Sequence, residues 1–273
     1  MASFRSSTMA LPGNYATKCW PFSPLSLNSH IEKGQKVRLF KNYVKSDGQN
    51  QVSMWSESFA HPWRPLDDIL HLCPKILLNT GYEVVAEYGK EIYVLMKRLL
   101  SLISLGLGLE TDCLETKIGE KPKFQAQGNY YPPCPDPELT LGLNVHTDMC
   151  ALTIVRQSEG VSGLQVIKDG NWVQVEPIPD AFVINIGDQI QVLSNGRFKS
   201  VHHRDVTNET RFRVSLATFY TPGKDTVIGP IRDPIDEQHP PIYRDYHFSE
   251  FLEEFFKQEG TRRMVKETFE LKA

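Results

Sequence analysis

What the chain lacks narrows its possible roles first. No apolar run approaches the roughly 18 to 20 residues needed to cross a bilayer as a helix, so no membrane span is expected. Neither sign of charge prevails: 30 Lys and Arg stand against 33 Asp and Glu, a net charge of −3, mixed through most of the chain. Electrostatics therefore give no reason to expect a nucleic acid or an anionic membrane as partner. The cysteines lack pairing. Five of them (Cys19, Cys73, Cys113, Cys134, Cys150), odd in number and without metal-type spacing, suit reduced thiols in the cytoplasm. Cys150 is expected to be a small buried hydrophobe. Residues 1–27 lack the apolar core of a secretory signal, and with Arg5 and Lys18 as their only basic residues they are too poor in arginine for a plastid transit peptide, despite being Ser-rich and free of acids. Periodicity is missing from residues 1–50, where Pro12, Gly13, Pro21, Pro24, Gly34 and Gly48 are scattered among serine and lysine; an irregular leader is expected.

What is present is enough for one large domain: 273 residues, 40% of them hydrophobic. Over residues 80–105, Val85, Tyr88, Ile92, Leu95, Leu99 and Leu102 recur at helical steps, with Thr80 or Asn79 to cap the start and Gly106 and Gly108 to end it. This stripe lasts under about four heptads, so it reads as core and not as a dimer zipper. A second helical pattern near the end sets Phe248, Phe251, Leu252, Phe255 and Phe256 on one face, against Glu250, Glu253, Glu254 and Lys257. Between the two, short runs predict strands at residues 163–167, 172–175, 182–188, 197–206 and 214–220. Asp169-Gly170 marks a hairpin turn, and Ser194-Asn195-Gly196 a further turn. Strands at this spacing favour an α+β, mainly β chain whose core is a jelly roll, with ligands held at its mouth. The expected division is a leader at 1–50, a helical region at 51–120, the jelly roll at 121–225 and a helix-bearing extension at 226–273. His61, before a proline, is expected in a loop.

The chemistry concentrates in residues 144–215. His146 and Asp148 are separated by one residue on an extended segment, so they point the same way and can grip one ion together. A third ligand from a distant strand completes a facial set of two imidazoles and one carboxylate, the mark of non-haem Fe(II) oxygenases. His202 and His203 are adjacent candidates, and strand alternation lets only one of them enter the same cavity. Zinc is the rival metal, since two histidines and a carboxylate also build hydrolases.

Seven pieces then occur in order: Asn129-Tyr130-Tyr131-Pro132-Pro133-Cys134-Pro135, His146-Thr147-Asp148, Gly163-Leu164-Gln165-Val166, Asn185-Ile186-Gly187-Asp188, Leu193-Ser194-Asn195-Gly196, Ser200-Val201-His202-His203-Arg204 and Arg213-Val214-Ser215. Together, over roughly residues 50–260, they resemble the plant 2-oxoglutarate- and Fe(II)-dependent dioxygenases, the superfamily of flavonol and anthocyanidin synthases, flavanone 3-hydroxylase, hyoscyamine 6-hydroxylase and gibberellin oxidases. The resemblance implies a double-stranded β-helix. It selects His203, the histidine before the arginine, as the third ligand. It also implies Fe(II), 2-oxoglutarate and O2, with ascorbate as an accessory, and assigns Asn129, Tyr131, Arg213 and Ser215 to the co-substrate. The implied reaction is hydroxylation or desaturation of a small plant specialised metabolite such as a flavonoid, alkaloid or hormone, by a cytoplasmic monomer.

Elementary chemistry agrees for the co-substrate. A keto acid that chelates iron at one end needs a cationic fork for its far carboxylate, and Arg213, with Ser215 on the same strand face, supplies it. A water-activating zinc hydrolase does not need that pair. Phe219, four positions past Ser215, shares the face and is a candidate to stack on an aromatic substrate, with core packing as the alternative. Asp188 and Arg204 are expected to pair and orient a ligand imidazole, and His202 to be exposed or at the rim. Three departures from the resemblance bear on substrate fit and local packing. Gln127 stands where a basic residue is common, Asp205 where an apolar residue is common, and the amino end is short or atypical. The last suggests a truncated or alternatively spliced product, and with it an alternative reading: a catalytically poor binding or interaction protein of the same fold.

Overall fold

A computed structural model describes residues 38–44, 53–63, 82–231, 240–258 and 264–271. In chain order they form β1 (Arg38–Val44), β2 (Ser53–Pro62), α1 (Tyr82–Gly106), α2 (Cys113–Ile118), β3 (Lys123–Tyr131), β4 (Thr140–Leu141), β5 (Leu143–His146), β6 (Leu152–Gln157), β7 (Leu164–Lys168), β8 (Asn171–Gln174), β9 (Val183–Ile186), α3 (Asp188–Leu193), β10 (His203–Asp205), β11 (Arg213–Thr221), β12 (Val227–Ile228), β13 (Tyr246–His247) and α4 (Phe248–Lys257). A short 3-10 turn, Lys266–Phe269, follows. One sheet runs β1-β2-β3-β11-β6-β9, with β4 beside β2; a second runs β5-β10-β7-β8. Together they make a double-stranded β-helix.

Alternation along β11 explains the layering. Val214, Leu216, Thr218 and Tyr220 point one way and Arg213, Ser215, Ala217 and Phe219 the other. The ladder continues both sets across the sheet. Leu216 and Tyr220 are joined by Phe124, Ala126, Leu152, Ile154 and Ile184, and this face packs in one core cluster with Ile92, Met96, Leu99 and Leu100 of α1. Trp63, Phe124, Tyr93 and Tyr220 fill its edge as a chain of rings 5.5 to 6.1 Å apart. The opposite face carries Gln127, Asn129, Tyr131, Thr153, Gln157, Asn185, Arg213 and Ser215. Its polar side chains bond to residues of β10 and of the loop after β5, so the polar lining is enclosed between the two sheets. A strand with polar residues turned inward marks a lined cavity, because burying such groups without partners is costly.

Several elements differ from expectation. β1 lies within the stretch read as irregular; its order comes from pairing with β2, which itself extends the sheet from β3, and neither partnership leaves a local periodic signal. His61 belongs to β2, paired opposite Ala126, and not to a loop. The run at 182–188 stops as a strand at Ile186, and Asp188 opens α3. Of the strand expected at 197–206 only His203–Asp205 forms a ladder. Leu102 leaves the buried stripe of α1 at 63% exposure and Ile103 replaces it, a drift that a long 3.6-residue period produces. On α4, Phe248 and Phe251 are buried but Phe256 is 62% exposed. The hairpin turn is as expected: Asp169 and Gly170 take φ of 51° and 79°, the left-handed pair a tight two-residue turn requires. The proposed caps Asn79 and Thr80 lie outside the described residues.

Candidate metal and co-substrate site

His146 ends β5 and His203 begins β10, and the two are directly paired across the ladder. That register brings their rings to 4.2 Å between centroids. Each ring is aimed by its own backbone. The Nδ1 of His146 donates to the Asn144 carbonyl at 2.8 Å and that of His203 to the Val201 carbonyl at 3.2 Å. The proton is thereby held on Nδ1, and both Nε2 lone pairs are free to face an ion. Asp148 Oδ1 lies 3.8 Å from His146 Nε2 and 3.7 Å from His203 Nε2. Its other oxygen, Oδ2, accepts from the Thr153 hydroxyl at 2.8 Å and the Asn185 amide at 3.3 Å. One carboxylate oxygen is thus tied to the sheet and the other is presented beside two imidazole nitrogens, all three within 4.8 Å of one another. Burial, reinforced by the neighbouring His203, lowers the pKa of His146 to about 4, which keeps its imidazole neutral and ligating. His146, Asp148 and His203 form a metal-binding site, and its donor set suits a divalent transition metal. His202, the other candidate, is half-buried and is not among these three.

The loop between the ligands is clamped from behind. Gly187 donates to the Ala151 carbonyl and Asp188 to that of Asp148, at 2.9 and 2.8 Å. A Cβ on Gly187 would meet the Cys150 carbonyl oxygen at 2.0 Å, so only glycine permits this approach. The Asp188 carboxylate accepts from Thr147 at 3.0 Å and faces the buried Lys266 ammonium at 3.4 Å. The pairing of Asp188 with Arg204 expected from the sequence is therefore not formed: Asp188 is held by Thr147 and Lys266. Arg204 instead donates to Gln165 at 2.8 Å and lies over the Trp172 ring at 4.2 Å, because strand alternation turns it away from its neighbours His203 and Asp205. Sequence reasoning assigned no role to Thr153, Asn185 or Lys266. Asn185 carried a signal, a polar residue inside an apolar strand run. Lys266 carried none.

At the other end of the cavity Arg213 is 3% exposed, directly across from Tyr131 and stacked on its ring at 4.9 Å. Its guanidinium donates to Asp205 Oδ1 at 2.7 Å and to Gln157 Oε1 at 2.8 Å. Tyr131 donates its phenol to Asp205 Oδ2 at 2.7 Å, and burial together with that carboxylate raises the phenol's pKa. Asn129 donates to Ser215 at 3.3 Å and accepts from Gln127 at 2.9 Å. Two glycines make room. A Cβ on Gly163 would meet Arg213 Cδ at 2.8 Å, and one on Gly142 would meet the Tyr131 ring at 2.5 Å. Asn129, Tyr131, Arg213 and Ser215 are thus brought together on one lining. Phe219 lies on the same side of β11, half-buried and outside the apolar core cluster. Cys150 is buried as expected.

A family model for the 2OG-Fe(II) oxygenase superfamily matches residues 125–222. The chain is 41% identical over 240 residues to flavonol synthase/flavanone 3-hydroxylase of Petunia hybrida, covering 82% of this chain and 67% of that protein. The chain belongs to the 2OG-Fe(II) oxygenase superfamily. Fe(II) and 2-oxoglutarate, named in that description, are the family's metal and co-substrate, and the donor set around Asp148 fits the metal. Protein DMR6-LIKE OXYGENASE 1 of Arabidopsis thaliana is 43% identical over 212 residues, 77% of this chain, and the chain spans 60% of that relative's length. Among solved structures, JOX2 in complex with 2OG, Fe and JA superposes with a TM-score of 0.71 at 30% identity, over 91% of this chain and 86% of that one. Among the described residues, no helix is long and apolar enough to cross a membrane.

Proposed function

We propose that this superfamily member is an Fe(II)- and 2-oxoglutarate-dependent dioxygenase that hydroxylates or desaturates a small, largely apolar metabolite of the flavonoid, alkaloid or hormone kind. The observation that carries the reading is the three-atom set of two Nε2 atoms, aimed by their Nδ1 bonds to backbone carbonyls, and one untied carboxylate oxygen. His146, Asp148 and His203 would hold the metal on one side and leave the other side to co-substrate and O2. When bound, Fe(II) with the keto acid supplies oxidation of an unactivated C–H bond, coupled to loss of CO2 and formation of succinate. The chain's own residues orient and enclose. Thr153 and Asn185 fix the carboxylate, and the backbone carbonyls of Asn144 and Val201 fix the rings. Arg213, Ser215, Tyr131 and Asn129 form the co-substrate end, and Phe219 offers an aromatic surface to substrate.

The relatives narrow the substrate class only by their names: a flavanone 3-dioxygenase of rice and the Petunia flavonol synthase act on flavonoids, and the JOX2 complex holds JA. We place the protein in the cytoplasm as a monomer, with residues 121–225 as its catalytic unit; the free Cys113, Cys134 and Cys150 suit a reducing compartment. The test is anaerobic addition of Fe(II) and 2-oxoglutarate to the purified chain. A metal-to-ligand charge-transfer band, then succinate and O2 uptake with a metabolite pool, is the expected result. A folded protein that binds the metal but gives neither band nor succinate sinks the reading.

A further inference from the structure

We infer that Asp205 is an internal competitor for the co-substrate anchor and sets how weakly the chain holds a dicarboxylic keto acid; the inference rests on the oxygenase reading above. Asp205 lies two positions past His203 on β10, so its side chain enters the same cavity as the ligand imidazole. Its two oxygens take the donors that a bound carboxylate's far end would use: Oδ1 receives Arg213 Nη1 at 2.7 Å and Oδ2 receives the Tyr131 phenol at 2.7 Å. The second guanidinium amine is taken by Gln157 at 2.8 Å, and of the Arg213 nitrogens only Nε is buried without a partner.

The charge balance points the same way. Asp205 and Arg213 are 4% and 3% exposed and neutralise one another out of water. Arg213's other partners, Gln157 and Tyr131, are neutral. A second carboxylate brought to this fork meets an anion already there, with no further cation in contact among the described residues to offset it, and like charges in a buried site repel strongly. Binding of 2-oxoglutarate must therefore displace Asp205 from Arg213 and Tyr131 or share them with it. A monocarboxylic keto acid, whose tail carries no charge, avoids that competition.

The experiment is an anaerobic titration of the Fe(II)-loaded chain with 2-oxoglutarate and, separately, with 2-oxobutyrate, read by the charge-transfer band and by the shift in melting temperature. It is done for wild type, Asp205→Asn, which keeps the shape and removes the charge, and Asp205→Ala. Both variants are expected to bind 2-oxoglutarate roughly tenfold or more tightly than wild type, the scale of a charge-assisted hydrogen bond regained, while 2-oxobutyrate binding stays nearly level. Each variant's own melting curve reports whether it folds, and the neutral Asn form covers loss of folding in the Ala form. Equal or weaker 2-oxoglutarate binding in the folded variants overturns the inference while leaving the oxygenase reading intact. Metal binding with no 2-oxoglutarate binding in all three proteins overturns both.

Discussion

The Lys266 ammonium stands 3.4 Å from Asp188 Oδ1, with both side chains buried, although 78 positions separate them. Through Asp188 this pair reaches Thr147, which sits between two of the metal ligands. The C-terminal 3-10 turn thereby braces the metal loop from behind. Lys266→Met leaves a buried carboxylate with less compensation, whose pKa burial already raises. The expected loss is about 3 kcal/mol in urea unfolding, together with weaker Co(II) binding in spectroscopic titration. Unchanged metal affinity would show that the brace does not reach the ligands.

The two adjacent histidines separate cleanly in a binding experiment. His203→Ala removes one of three donors and should lower metal affinity by more than the roughly 10- to 100-fold typical of losing an outer partner. His202→Ala should leave the affinity within a factor of about 3 of wild type, since its side chain is not in the donor set. Metal retained by the first variant and lost by the second would reverse the assignment.

Gly187 is a steric prediction with little room to evade. The atom its Cβ would strike at 2.0 Å is a backbone carbonyl oxygen, and Cys150 C and Ala151 O lie at 2.7 and 3.0 Å. Gly187→Ala must push the loop carrying Asp148 away from α3, so a destabilisation of about 3 kcal/mol with impaired metal binding is expected. Calorimetry and a Co(II) titration on the same sample check it; a variant as stable as wild type would mean the loop has slack.

How much of this was legible in the sequence depends on whether the determining contact is local. His146 and Asp148 announce themselves by a spacing that any extended segment turns into a shared direction. Arg213 and Ser215 do the same. The resemblance resolved His203 from His202, which periodicity alone left open, and the ladder gives the reason: His203 lies opposite His146. Asp205 stood out as a charge where an apolar residue is common, but its partners were hidden, since Arg213 and Tyr131 reach it from two strands of the other sheet. The Asp188–Arg204 pairing failed for a related reason. It assumed that the strand continues through Asp188, whereas the tight approach of Gly187 ends it and α3 begins. β1 was missed because an edge strand is ordered by its partner and not by its own pattern.

At the surface, Glu250 closes the start of α4. Its carboxylate accepts from the His247 backbone amide at 2.9 Å and from Arg244 at 3.0 Å, and these contacts hold its pKa below the ordinary range, the backbone amide foremost. A depressed carboxyl contributes stability that is present above its unfolded pKa and lost as pH falls through the lower, folded value. Glu250→Ala should therefore lower the melting temperature slightly at neutral pH, by the equivalent of roughly 0.5 kcal/mol after allowing for its exposure. The gap to wild type should close in acid. A gap that persists well below the carboxylate range would assign the effect to helix propensity.

Gly163 tests the co-substrate end without replacing any residue that would bind there. A methyl at this position meets Arg213 Cδ at 2.8 Å and Nε at 3.1 Å, with the Val206 carbonyl behind it at 3.2 Å. The arginine stem is the softer neighbour, so Gly163→Ala should shift the guanidinium against Tyr131 and disturb its fork, while the metal ligands, held by Asn144, Val201, Thr153 and Asn185, stay in place. The expected outcome is a 2-oxoglutarate dissociation constant raised about tenfold, the scale of one charge-assisted hydrogen bond, with Co(II) affinity unchanged. If both constants rise together, the two ends of the cavity are mechanically coupled through β10, and Arg213 is not an independent anchor. If neither moves, the guanidinium has freedom that its burial and its two carboxylate- and amide-bound amines do not suggest, and its role as the fork for the keto acid falls.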